Sequence, residues 1–86
     1  MPEISRFFGI IIKMYYNDHQ PPHFHAEYGE YFAEISIDTL DAIRGNLPQR
    51  VFGLVLEWAA VHRLELRQNW DRARTKEPLE AIEPLE

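Results

Sequence analysis

Eighty-six residues carrying a net charge of −5 hold one core, because a second would have too little apolar surface to bury. The absence of cysteine excludes disulfides and thiolate metal sites, and the acidic balance argues against a general nucleic-acid coat. The longest apolar run, Phe7 to Ile12, is far too short to span a bilayer, and the N-terminal Met-Pro-Glu-Ile-Ser-Arg lacks a secretion signal, so a cytoplasmic protein without membrane partners is expected.

In chain order, Phe8 to Tyr16 is rich in β-branched and aromatic residues and predicts a strand. Asn17 to Pro22 is a loop, because two adjacent prolines bar regular pairing. His23 to Tyr28 and Tyr31 to Ile37 follow as two strands, and Gly29-Glu30 between them suits a type II′ hairpin with glycine first. That turn sets a register: Tyr28 faces Tyr31, Ala26 faces Ala33, Phe24 faces Ile35. The opposite face then carries His23, His25, Glu27, Phe32, Glu34 and Ser36, with His25 across from Glu34. Asp38 to Asp41 is a turn, and Ala42 to Arg44 a short fourth strand ended by Gly45. Pro48 sits at the start of one long helix from Gln49 to Asp71. At 100° per residue, Val51, Leu54, Val55, Trp58, Ala59, Val61 and Leu66 share its apolar face. His62 and Asn69 lie on that same side.

The expected fold is therefore α+β: an antiparallel sheet of three to four strands with one long helix packed across one face. Residues 1–74 form the domain. Residues 75–86 form an extended acidic tail, in which Leu79, Ile82 and Leu85 could dock on this chain or on a partner.

Three of the four histidines crowd into Asn17–Tyr31. His23 and His25 stand two apart on a strand, so both rings leave one face. With His19 from the loop and Glu34 across the hairpin they make a set of metal ligands, and Asp18 or His62 could supply another. Imidazole with carboxylate suits a divalent transition metal such as zinc, iron, nickel or manganese; no other cofactor is implied. Alternatively His23, His25 and His62 serve as acid–base groups, since imidazole titrates near neutrality. The plain alternative pairs His25 with Glu34, gives His62 a backbone carbonyl and leaves His19 in solvent. If the helix covers the Phe24 face, His62 lies across the sheet from His25, and all four rings cannot converge.

Residues 63–76 are locally basic, and the last ten are acidic. Arg63 and Arg67 lie four apart on the solvent side and could grip phosphates. They also suit the negative end of a helix, which is the simpler account. Tyr15, Phe32 and Trp70 are the aromatic candidates for an exposed binding patch.

The stretch "PEISRFFGIIIKMYYNDHQPPHFHAEYGEY", followed by "LEWAAVHR" and "NW", resembles the small bacterial proteins grouped as domain-of-unknown-function family forty-one sixty. Pro21-Pro22-His23-Phe24-His25 carries most of the likeness, with Tyr28 and Trp70 in support. One departure is Leu40-Asp41, where the family often has glycine after Thr39. The resemblance implies no reaction. Its genes often adjoin a second small family, number twenty-four forty-two, and such pairs are suspected toxin–antitoxin modules. The expectation is a partner-binding component of such a pair, not an enzyme. Its partner would be a small protein from a neighbouring gene, with a homo-oligomer open and RNA disfavoured. The alternatives are a nuclease acting on RNA through His23 and His25, and a metal-binding module without catalysis.

Overall fold

Alternation along the strands decides which side of the sheet is covered. In the computed structural model, which describes residues 3–85, five strands form one antiparallel meander in sequence order. They are β1 (Glu3–Phe7), β2 (Ile10–Lys13), β3 (His23–Tyr28), β4 (Tyr31–Ser36) and β5 (Ala42–Asn46). Every second residue, Ile10 and Ile12, Phe24 and Ala26, Ala33 and Ile35, is fully buried on the face that two helices cover. The β3–β4 register is the expected one, from Tyr28 opposite Tyr31 to His23 opposite Ser36. Gly29 has φ 58°, as the first turn residue of a type II′ hairpin requires.

The sheet is larger than the sequence suggests. A strand was expected from Phe8 onwards, but Phe8 and Gly9 are a turn, with φ 52° and 78°, and Glu3–Phe7 pairs with Ile10–Lys13 across it. Positive φ at both turn residues matches the twist of a two-residue hairpin. Phenylalanine is an uncommon occupant there, so the residue pair gives no warning of the turn. Gly45 does not end the fourth strand but pairs within β5, opposite Ala33. Its φ of 73° sits where a Cβ would be driven into the Phe32 carbonyl oxygen. Leu40, at the position where glycine had been the family expectation, has φ 60°, a left-handed conformation that glycine adopts without steric cost.

The expected single helix is two, α1 (Gln49–Val61) and α2 (Arg63–Arg74). His62 leaves helical geometry at φ −111°, ψ 24°, and its N–H is shared between the Trp58 and Ala59 carbonyls. The break redirects the apolar face. Val51, Val55, Trp58 and Ala59 are buried from α1, and Leu66, Asn69, Trp70 and Ala73 from α2. Val61, assigned by periodicity to the apolar side, is 74% exposed at the bend. No helix among the described residues is long and apolar enough to cross a membrane.

The residues after α2 turn back onto their own chain. Trp58, central to the core and in contact with the rings of Phe7 and Phe24, donates its indole N–H to the Glu83 carbonyl at 2.8 Å. Asn69 donates to the Glu80 carbonyl and accepts from the Glu80 N–H. Ile82 donates its N–H to the Ile4 carbonyl, and its side chain is buried. The paired bonds explain why an asparagine can sit on the buried side of α2: a buried amide is tolerated when its donor and acceptor are both met.

A candidate histidine–carboxylate metal centre

The Asn17–Pro22 loop folds back over the first residues of β3, and the Gln20–Pro21 peptide is cis. This brings Asp18 between two rings. Its Oδ2 lies 2.9 Å from Nε2 of His25 and 3.0 Å from Nε2 of His23. His19 stacks on His23 with ring centres 4.9 Å apart. From β4, Oε1 of Glu34 stands 3.8 Å from Nε2 of His23 and 3.9 Å from Nε2 of His19. Two sets of ligand atoms thus converge, Asp18–His23–His25 and His19–His23–Glu34, each within 4.8 Å, and both contain His23.

His23 is wholly buried. Its ring lies between that of His19 and the indole of Trp70, the latter 5.3 Å away. Its Nδ1 stands 2.7 Å from the Pro21 carbonyl oxygen. A carbonyl only accepts, so Nδ1 carries a proton, and in the neutral ring Nε2 bears a lone pair. That lone pair has no hydrogen-bond partner. The Asp18 carboxylate could accept only from a protonated Nε2, and the 3.0 Å contact lacks hydrogen-bond geometry. Two groups aimed at a common third point, instead of at each other, produce this pattern. Ligands bound about 2.1 Å from one ion lie about 3 Å apart when their bonds meet at right angles, which the Asp18–His23 contact matches; the 2.9 Å contact to His25 is a hydrogen bond.

The electrostatics agree with this arrangement. Burial alone would raise the Asp18 carboxyl, but the His25 ring, the His19 N–H and the charges of His23 and His25 hold it below its ordinary value. The group is therefore an anion at neutral pH, ready to accept a cation or a shared proton. His25 is backed by Tyr15, whose ring stands edge-on at 4.4 Å. His19 is mostly exposed, whereas Asp18, His25 and Glu34 are largely covered. His19 is thus the cluster's exposed member. Arg44 touches the far oxygen of Glu34 at 3.8 Å.

Of the four expected metal-ligand candidates, His19 and Glu34 group with His23, whereas His25 groups with His23 only through Asp18. Asp18, which the sequence offered as one option among several, is the carboxylate nearest both strand histidines. His25 hydrogen-bonds to Asp18, not to the Glu34 directly across the ladder. His62 is not in the cluster. Its ring meets the Glu65 carboxylate and lies 5.5 Å from Trp58, because the covered face of the sheet is the Phe24 face. Of the binding candidates, Phe32 is exposed and Tyr15 half-buried. Arg63 is exposed, and Arg67 pairs with Asp38 at 2.7 Å. Trp70, expected as a surface aromatic, is buried behind His23. Ile82 is buried, and Leu79 and Leu85 pack partly buried against the same core, so the tail's apolar residues are occupied by their own chain. The backing role of Trp70 had no sequence signal beyond its helical spacing from Leu66.

A family model described as "Domain of unknown function (DUF4160)" matches residues 9–71. No curated protein and no solved structure matches the chain.

Proposed function

This chain belongs to the family described as Domain of unknown function (DUF4160), and from that premise we propose that it is a divalent transition-metal-binding module. Asp18, His23 and His25 are the primary ligands, and His19 and Glu34 flank them. The observation that carries this reading is the buried, unpartnered Nε2 of His23, which in the neutral ring bears the lone pair, since the Pro21 carbonyl holds the proton on the other nitrogen. A buried polar atom without a partner costs about 1–3 kcal/mol, and an ion at the convergence point removes that cost. Two imidazoles and a carboxylate suit zinc, iron, nickel or manganese. A nuclease acting on RNA would use the same centre, but the net charge of −5 weighs against a phosphate-rich substrate.

Untagged protein, stripped with a chelator and titrated calorimetrically with Zn(II), Ni(II) and Mn(II), is expected to bind one ion per chain. His25→Ala, which removes a largely covered ring proposed as a primary ligand, should weaken binding by more than the roughly 10–100-fold lost with a ligand's supporting group, with little change in fold. Absence of binding by every ion, or equal binding by the variant, would remove the metal from the account.

A second reading, the partner-binding component of a toxin–antitoxin-like pair, draws support from a different place. Val61 and Leu64 are 74% and 70% exposed at the bend between the helices, an apolar pair that a partner could cover. The tail lends it none, being docked at home. Double substitution Val61→Glu/Leu64→Glu is expected to abolish co-purification with the neighbouring gene's product while leaving the circular dichroism unchanged. Retained co-purification would clear the bend of that role.

A further inference from the structure

At the other end of β3 from the histidines lies a hollow of about 370 Å³, lined by Phe8, Ile10, Tyr28, Arg50, Val51 and Leu54. The separation along the strand is about five residues, roughly 16 Å, so this is a different place and not a wing of the metal centre. Its chemistry is two-sided. Ile10 is fully buried at its base, Val51 is buried, and Leu54 packs against the core. Two rings stand at its mouth, Phe8 57% exposed and Tyr28 37%. Phe8 is held there by the turn, at φ 52°. The edge of the Tyr28 ring lies beside Gly9.

The polar side of the hollow is a cation without a counter-charge among the described residues. Arg6 pairs with Glu3, Arg44 with Glu34, Arg67 with Asp38 and Arg72 with Glu80. Arg50, like Arg63 and Arg74, pairs with none of the described residues, but of these three it alone lines the hollow. No acidic residue occupies the first turn of α1 either. A space of this volume falls in the range of small-molecule sites, where apolar walls supply area and one or two polar groups fix orientation.

We infer that this hollow binds a small monocarboxylic acid with an apolar body, its chain against Ile10, Leu54 and the two rings and its carboxylate on Arg50. Guanidinium and carboxylate match in planar geometry, and such charge-assisted bonds are about twice as strong as neutral ones. An alcohol or amine of the same length would fill the walls but leave the cation unanswered or repelled.

The test is an amide-resolved NMR titration of the full chain with octanoate, octan-1-ol and octylamine. Octanoate is expected to give saturable shifts at Phe8, Tyr28, Val51 and Leu54, and to bind about tenfold more tightly than octan-1-ol. Arg50→Gln, on the exposed side of the helix, should erase that tenfold preference without altering the spectrum elsewhere. Leu54→Trp, which fills the hollow, should abolish both interactions. No saturable shift in the wild-type chain, or a preference for octanoate untouched by Arg50→Gln, overturns the assignment. A peptide ending in Leu-Phe carries the same chemistry at its C-terminus. Tighter binding of its free acid than of octanoate, lost on amidation, would give the acid a peptide source; weaker binding leaves it a free small molecule.

Discussion

Replacing His23 by Phe is expected to leave the chain folded and to abolish its response to metal. The argument rests on what each atom of the ring does. The ring itself fills space between His19 and Trp70, and phenylalanine fills that space with a similar plane. Nδ1 is tied to the Pro21 carbonyl, a bond worth about 1 kcal/mol net. Nε2 makes no hydrogen bond within the chain. The substitution therefore trades a modest hydrogen bond for relief of a buried orphan atom, and the metal-free stability should change by about 1 kcal/mol or less in either direction.

With metal the two proteins diverge. An ion present at about 100 times its dissociation constant stabilises the native chain by about 2.7 kcal/mol. In a domain of this size that raises Tm by about 10–20 °C. The His23→Phe chain should show no such rise. His23→Ala separates packing from ligation: the void beside Trp70 costs about 2–4 kcal/mol, so that variant melts earlier with or without metal. If His23→Phe responds to metal as the native chain does, His23 is a packing residue and the ion, if any, sits elsewhere.

Removing residues 75–86 is expected to unfold the domain, not merely to free a surface. Ile82 alone, truncated to alanine, should cost about 2–4 kcal/mol. Its N–H donates to the Ile4 carbonyl of β1, and its side chain sits among the core residues. Deleting the whole segment also uncovers part of Trp58, whose indole N–H donates to Glu83, and both ends of the Asn69 amide. Leu79 and Leu85 lose their contacts with the core as well. Together these losses are of order 5 kcal/mol or more, against a total stability of about 4–13 kcal/mol for a chain of this length. Urea melts of Ile82→Ala and of the truncated chain should show a lowered midpoint for the first and no cooperative transition for the second. A truncated chain that melts like the intact one would make the tail an accessory. A partner-binding test based on tail deletion would therefore report unfolding, which is why the helix bend is the better place to probe.

Local chemistry determined much of this protein without help from tertiary structure. A period of two and one glycine turn settled the β3–β4 ladder down to the pairing of His25 with Glu34, because a slip by one residue would have put every apolar side chain in water. A period of 3.6 placed Val51, Val55, Trp58 and Ala59 on the covered side of α1. The same reasoning brought the loop and strand histidines together and excluded His62 once the covered face was known.

What the sequence could not decide depends on groups far apart in the chain. Phe8 is forced to positive φ because β1 needs a partner, and that need is invisible in the residue pair at the turn. The break at His62 turns α2 so that Trp70 backs His23, a contact across 47 positions that no periodicity encodes. The tail's leucines and isoleucine read equally well as an arm for a partner. Only the core showed which it was, because Trp58 and Asn69 present buried donors and acceptors that nothing else in the described chain meets. Whether a ring nitrogen is bonded or bare is likewise a tertiary fact. It is set by how the loop carrying Asp18 and Pro21 lands on the strand, and the proposed ion site rests on it.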